Sequence, residues 1–220
     1  MPFRKPYILC EDKGGRGFWK NILVRCFPQV RGLNYSIQFF PGLANIESNL
    51  DLIGRNMVRR IDKQSPFIFF IVDADTYLKK NLDSTYHEII ENVESLLQEK
   101  VRSIGYMGNI RCILIKNCLE SLICCDLEVI WRTKLPMVIS DSPPNPITFQ
   151  HDCNSTRSCP TAKLKNFTRE NCLGEYNKVL HPERYASKIN IDVISAENFS
   201  FREFIRILRE NITYFTTIRS

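Results

Sequence analysis

Apolar runs alternate with amphipathic segments along the first 133 residues of the chain. Four of these runs have the length of a β-strand, and they cover residues 7–11, 35–40, 67–72 and 110–116. The third run, FIFFIV, has no polar position, which is typical of a central parallel strand covered by helices on both faces. The pattern therefore predicts a sheet with a buried central strand.

The segments between the runs carry apolar residues at helical spacing. In the second of them, five apolar residues recur at intervals of three or four positions and would share one helix face. They are Ile46, Leu50, Ile53, Met57 and Ile61. Residues 84–101 form another amphipathic pattern, for which Ser84 is the expected N-cap. Residues 17–27 and 117–132 are predicted to be the remaining helices of this half.

Strand-helix alternation predicts an α/β fold whose sheet is mainly parallel and flanked by helices, with right-handed crossovers. We assign residues 1–133 to this core. The alternation stops at residue 134, because residues 134–160 hold five prolines and little periodicity. We interpret them as an irregular connection. Residues 161–220 regain helical spacing and are predicted to form a helical C-terminal extension that packs on the core.

The composition is that of an ordinary globular protein, with 44% hydrophobic and 25% charged residues. The net charge of +6 is compatible with a polyanionic partner without requiring one, and the basic residues are dispersed along the chain. The first 15 residues do not have the pattern of a secretion signal, and no apolar stretch approaches the length of a membrane span. We therefore expect a cytoplasmic protein that has no membrane partner.

Nine cysteines are present, an odd number, and without an export signal we do not expect a disulfide framework. Most lie inside apolar patterns, where cysteine acts as a small hydrophobic residue. One group in the irregular connection has the residue types of a structural zinc site: His151, Cys153, Cys159 and Cys172. Its spacing lacks the paired C-x2-C of strong zinc motifs, so zinc is the less favoured interpretation.

Acidic residues follow three of the predicted strands at their carboxyl ends, where open α/β sheets bind ligands. Glu11 ends the first strand, Asp73 and Asp75 follow the third, and Glu120 follows the fourth. Several carboxylates placed together repel one another unless a cation neutralises them, and oxygen ligands suit Mg²⁺ or Mn²⁺. The alternative for Asp73 and Asp75 alone is that they cap the turn after the strand.

Three segments of the chain resemble motifs of the TOPRIM (topoisomerase-primase) superfamily. ILCEDKGGRGFW resembles its first motif, with a glutamate at the end of a strand, and FIFFIVDADTY resembles its DxD motif. IRCILIKNCLESLICCD is similar to a segment of small stand-alone TOPRIM-like proteins. Those proteins are related to the OLD-type (overcoming lysogenization defect) nuclease domain and are often paired with ABC ATPases.

The resemblance implies that Glu11, Asp73, Asp75 and Glu120 form an acidic Mg²⁺ or Mn²⁺ site that cleaves phosphodiester bonds in DNA or RNA. It also implies a role in antiviral defence with an ABC or OLD-type ATPase as partner, and we allow for a homo-oligomer. The alternative is a non-catalytic TOPRIM-like subunit that regulates an ATPase complex or binds nucleic acid.

Basic residues near the same strand ends are expected to contact the phosphate backbone of a nucleic acid. They are Lys13, Arg16, Lys79, Lys80 and Lys116. Four other polar residues are assigned to solvated helix faces, although they could reach the site. They are Asp126, Lys178, Tyr185 and Lys188.

Overall fold

The fold is a four-stranded parallel sheet with helices on both faces, as the sequence pattern predicts. The strand order is β2-β1-β3-β4, so the apolar run FIFFIV lies in an inner strand. The strands are β1 (Tyr7–Cys10), β2 (Ser36–Phe39), β3 (Phe67–Asp73) and β4 (Asn109–Ile115). A computed structural model describes residues 5–74, 77, 84–115, 119–134, 160–171 and 173–216.

Helices alternate with the four strands, and within the described residues only helices follow β4. The helices of the first half are α1 (Gly15–Cys26), α2 (Ile46–Arg60), α3 (Tyr86–Ser103), α4 (Leu119–Cys125) and α5 (Glu128–Lys134). Those of the second half are α6 (Pro160–Glu170), α7 (His181–Ala186), α8 (Ile191–Glu197), α9 (Phe199–Glu210) and α10 (Thr213–Thr216). None of the helices in these described ranges combines the length and apolar character that a membrane span needs.

The sheet separates two hydrophobic cores, because successive side chains of a strand point to opposite faces. In β3, Phe69 and Ile71 enter one core, and Phe70 and Val72 enter the other. Helix α1 and the C-terminal helices cover the first core, while α2 and α3 cover the second. The absence of polar positions in FIFFIV follows from this burial on both faces.

The C-terminal helices pack directly on the sheet and on α1. The Phe204 ring of α9 lies 4.7 Å from the Trp19 ring of α1 and 5.7 Å from the Phe69 ring of β3, measured between centroids. Tyr185 of α7 is fully buried in the same core. Residues 135–159 lie outside the described residues, so the proposed boundaries at 134 and 160 stay a prediction.

Two details of the predicted helices were wrong. The N-cap of α3 is Thr85 and not Ser84: the Thr85 hydroxyl accepts from the Glu88 N–H, and the Glu88 carboxylate accepts from the Thr85 N–H. This capping box satisfies two donors that the helix leaves unpaired. Residues 117–132 were predicted as one helix, but helices α4 and α5 are separated by a turn at Asp126 and Leu127.

Candidate functional site

Glu11 and Asp73 meet at the carboxyl edge of the sheet. Strands β1 and β3 are parallel neighbours with Cys10 beside Ile71, so Glu11 leaves β1 next to the end of β3. The backbone N–H of Asp73 donates a hydrogen bond to Glu11 Oε2 over 3.0 Å. Both side chains are half-buried. Two of the sequence-predicted acidic residues are therefore in direct contact through this bond.

Asp12 adds a third carboxylate to this edge; the sequence places it at the end of the first strand, but it was not assigned as a ligand. Burial raises the pKa of Asp12, the charge of Glu120 raises it further, and the charge of Lys178 lowers it. Burial also raises the pKa of the Cys10 thiol to about 12, with further increases from the charges of Asp12 and Asp73. The signal that could have identified Asp12 is its position directly after Glu11 at the end of β1.

Glu120 lies close to this acidic edge but is held by two donors of the protein. It is the second residue of α4 and is only 1% exposed. Its Oε1 accepts a hydrogen bond from the Tyr176 hydroxyl at 3.3 Å and lies 3.6 Å from Lys178 Nζ. A buried carboxylate needs such partners. Glu120 therefore anchors the segment that carries Tyr176 and Lys178, and its role as a metal ligand stays a prediction.

The segment before α7 is fixed against the glycine loop at the start of α1. A Cβ atom on Gly14 would lie 2.2 Å from the carbonyl oxygen of Lys178. That separation is far below a van der Waals contact, so the two backbones can approach this closely only because residue 14 is glycine. The loop after β1 and the segment of Lys178 therefore form one continuous rim beside the acids.

Positive charge is present on this rim. Lys13 is exposed in the loop after β1, Arg16 is exposed in the first turn of α1, and Lys178 is half-exposed beside Glu120. The Nζ atom of Lys13 lies 5.8 Å from the centroid of the Phe39 ring at the end of β2. The other basic residues predicted to contact phosphate, Lys79, Lys80 and Lys116, lie outside the described residues.

Several predicted ligands also lie outside the part of the chain that the structure describes. They are Asp75 of the DxD pair and the zinc group His151, Cys153, Cys159 and Cys172. Within the described ranges, no three His, Cys, Asp or Glu side chains are grouped so that they could hold a metal ion. The role of Asp75 as a metal ligand and the less favoured zinc site both stay predictions.

The described carboxylates fit a hard divalent cation in the chemistry of their donor atoms. Glu11, Asp12 and Asp73 offer only oxygen donors, which Mg²⁺ and Mn²⁺ prefer. The Glu11–Asp73 contact brings two of them to adjacent strand ends, and burial raises the pKa of Asp12, which disfavours its uncompensated charge. The ligand set that the DxD motif predicts is complete only with Asp75.

Three residues assigned to solvated helix faces occupy other environments. Asp126 is 4% exposed and its Oδ2 accepts from the Asn190 N–H at 2.6 Å, so it links the turn after α4 to the start of α8. Tyr185 is fully buried with its ring stacked on Tyr176, and burial raises its pKa to about 12. Lys178 pairs with Glu120. The assignments of Asp126 and Tyr185 were wrong because tertiary packing buries both side chains, whereas Lys178 is exposed but lies outside a helix.

The fourth residue of that set, Lys188, is exposed as expected. Sequence reasoning missed Tyr176 entirely and left Lys178 on a helix face. Both residues lie in the irregular segment between α6 and α7, which has no periodicity to indicate the direction of a side chain. No local signal in the sequence could have placed them beside Glu120.

A family model described as a domain of unknown function (DUF4276) matches residues 10–209. The matched region includes both strand-end residues, Glu11 and Asp73, and also Glu120 and Lys178. No curated protein matches the chain.

Two solved structures of the C-terminal region of the Xanthomonas campestris pv. campestris OLD protein are similar to this chain. The structure phased with iodine is 17% identical over 96% of this chain and 100% of that chain, with a TM-score of 0.39. The structure phased with mercury is 13% identical over 95% of this chain and 100% of that chain, with a TM-score of 0.41.

Proposed function

We propose that this chain, which belongs to the DUF4276 family, is a metal-dependent nuclease-like protein that cleaves phosphodiester bonds in DNA or RNA. The observation that supports the proposal most is the hydrogen bond from the Asp73 N–H to Glu11 Oε2, which fixes the Glu11 carboxylate against the backbone of Asp73 at the adjacent strand end. The resemblance of the first strand and the DxD segment to TOPRIM motifs supports the same reaction class.

Glu11, Asp73 and Asp75 would hold Mg²⁺ or Mn²⁺ at this edge. When bound, such an ion neutralises charge on the phosphate and lowers the pKa of a bound water. The Asp73 N–H fixes one oxygen of Glu11, which restricts the orientation of that carboxylate. A restricted carboxylate loses less conformational entropy when it binds a ligand than a freely rotating one.

The basic side chains on the rim formed by the loop after β1 and the segment of Lys178 would attract a polyanion. Lys13 and Arg16 are exposed on one side of the Gly14 contact, and Lys178 lies on the other. The Tyr176 hydroxyl and Lys178 Nζ share one oxygen of the buried Glu120, which keeps the lysine near the acids. Positively charged side chains in these positions would bind phosphates on either side of the scissile bond.

The test is cleavage of plasmid, single-stranded DNA and tRNA with Mg²⁺ or Mn²⁺. We expect cleavage by the wild-type chain and its loss in Asp73→Asn and Glu11→Gln, which remove charge while preserving shape. Asp62→Asn is the matched control, because Asp62 is exposed and precedes β3 at the opposite edge of the sheet. Cleavage that persists unchanged in both site variants would show that these carboxylates do not carry the reaction.

A second candidate is a non-catalytic subunit that regulates an ATPase complex or binds nucleic acid. The observation that favours it is that Glu120, one of the predicted metal ligands, accepts from the Tyr176 hydroxyl and pairs with Lys178. The partner ATPase and a role in antiviral defence rest on the TOPRIM and OLD-type resemblance alone. Absence of cleavage on every substrate, with and without a partner ATPase, would favour this second candidate.

A further inference from the structure

Two neighbouring aliphatic side chains are displayed beside the proposed site. Val179 is 57% exposed and Leu180 is 68% exposed. Single exposed apolar residues are common on protein surfaces, whereas adjacent ones next to a functional edge suggest a contact surface. They follow Lys178 directly, so they extend the rim that Lys178 and the glycine loop form.

The turn that carries these side chains is held in one conformation by its own hydrogen bonds. The Asn177 side-chain oxygen accepts from the backbone N–H of Val179 at 2.8 Å and of Leu180 at 3.1 Å. The Asn177 N–H donates to His181 Nδ1 at 3.0 Å, and the His181 N–H donates to the Asn177 carbonyl at 3.1 Å. A turn fixed in this way loses little conformational entropy when its side chains bind a ligand.

The position of the turn relative to the charges indicates the class of ligand. The backbone of Lys178 is in contact with Gly14, and two exposed basic residues flank that glycine, Lys13 in the loop and Arg16 in the first turn of α1. Cations and aliphatic groups are therefore side by side on one rim. A nucleic acid offers the complementary pair, since its phosphates bind cations and its base faces bind flat or apolar surfaces.

We propose that Val179 and Leu180 contact an unpaired nucleobase, so that the site prefers single-stranded or locally opened nucleic acid to intact duplex. The inference rests on the proposed function and specifies its substrate class. In a duplex the base faces are stacked on one another, and apolar side chains reach them only where a step is opened. A protein partner fits less well, because stable protein interfaces bury about 1,200 Å² or more and this turn offers two side chains.

The test compares the affinities of the full chain for a single-stranded oligonucleotide and for a hairpin duplex, by fluorescence anisotropy without a divalent ion. The variant is Val179→Thr with Leu180→Asn, which keeps the turn and removes its apolar surface. We expect its affinity for the single strand to fall about five- to tenfold. Its affinity for the duplex should change by less than about twofold, because the cations that bind phosphate are intact.

Val58→Thr is the matched control, because Val58 is 52% exposed on α2, a helix that covers the other core. It should leave both affinities unchanged. A 2-aminopurine base in the single strand gives a second readout, since contact with the turn should change its fluorescence in the wild type and not in the double variant. Unchanged urea midpoints for the variants would show that folding is intact.

The inference would be overturned if the wild type and the double variant bound the single strand with equal affinity. It would also be overturned if the double variant lost affinity equally for the single strand and for the duplex. A double variant that retains nucleic-acid binding but loses a protein partner would also overturn it. The proposed function would survive each of these results provided that Asp73→Asn abolishes cleavage. A wild-type chain that neither binds nor cleaves nucleic acid would overturn both.

Discussion

The backbone N–H of Asp73 donates to Glu11 Oε2 over 3.0 Å and so joins the ends of β1 and β3. Glu11→Ala removes this acceptor, and we expect a loss of about 1 kcal/mol in the free energy of unfolding. Glu11→Gln keeps a carbonyl oxygen as acceptor and should lose less than about 0.5 kcal/mol. Both variants should lose cleavage, because both lack the carboxylate. Equal unfolding midpoints of the two variants in urea would contradict a structural role for the bond.

Tyr176 stabilises a buried charge, because its hydroxyl donates to the carboxylate of Glu120 at 3.3 Å. Tyr176→Phe leaves that carboxylate with fewer donors, and we expect a loss of about 1–3 kcal/mol in the free energy of unfolding. Tyr35→Phe is the control, because the Tyr35 hydroxyl makes no hydrogen bond with the part of the chain that the structure describes and its ring packs on Phe215. Urea denaturation measures the free energy of unfolding of both variants. Equal losses of this free energy in Tyr176→Phe and Tyr35→Phe would count against a stabilising contact with Glu120.

Gly14 allows the loop after β1 to touch the segment of Lys178. Its backbone has φ −69° and ψ −25°, which alanine adopts readily, so any cost of Gly14→Ala comes from the Cβ contact with Lys178. We expect a loss of about 1–3 kcal/mol and faster amide exchange at Val179 and Leu180. Gly15→Ala is the control, since its Cβ would lie 3.4 Å from Leu119 and should cost less than about 1 kcal/mol. Hydrogen exchange unaltered by Gly14→Ala would show that the two segments are not coupled.

Cys10 should be inert although it lies at the acidic edge. Burial raises its pKa to about 12, so at pH 8 roughly one molecule in 10⁴ carries the thiolate that reacts. Burial raises the pKa of the half-buried Cys26 only to about 11. Since a higher pKa means less thiolate at a given pH, iodoacetamide should modify Cys26 before Cys10 in the native chain. Mass spectrometry measures the order in which the two cysteines are labelled, and unfolding in urea should abolish the difference. Faster labelling of Cys10 than of Cys26 in the native chain would contradict the burial of Cys10.

The sequence was sufficient to predict the sheet because each strand is a short apolar run between amphipathic segments. The strand predicted over residues 67–72 is observed as Phe67–Asp73, and the helix face of Ile53 and Met57 is buried. The break at Asp126 was not predictable from periodicity. At this turn the Asp126 carboxylate accepts from the Asn190 N–H, and Asn190 lies 64 positions away in the sequence.

The site was predictable where the strands themselves carry its residues. Glu11 and Asp73 follow directly from the rule that ligands bind at the carboxyl ends of parallel strands, and the structure joins them. Tyr176 and Lys178 could not be predicted, because they come from an irregular segment that reaches Glu120 only through tertiary packing.

The most direct test of the proposed metal site is the affinity of the chain for Mn²⁺, since it requires no knowledge of the substrate. Mn²⁺ titration followed by electron paramagnetic resonance should be made on the wild type, Asp73→Asn and the control Asp62→Asn. We expect the wild type and Asp62→Asn to bind Mn²⁺ equally and Asp73→Asn to bind it at least about tenfold more weakly. Equal Mn²⁺ affinities of Asp73→Asn and the wild type would contradict a metal-binding role for the acidic edge of the sheet.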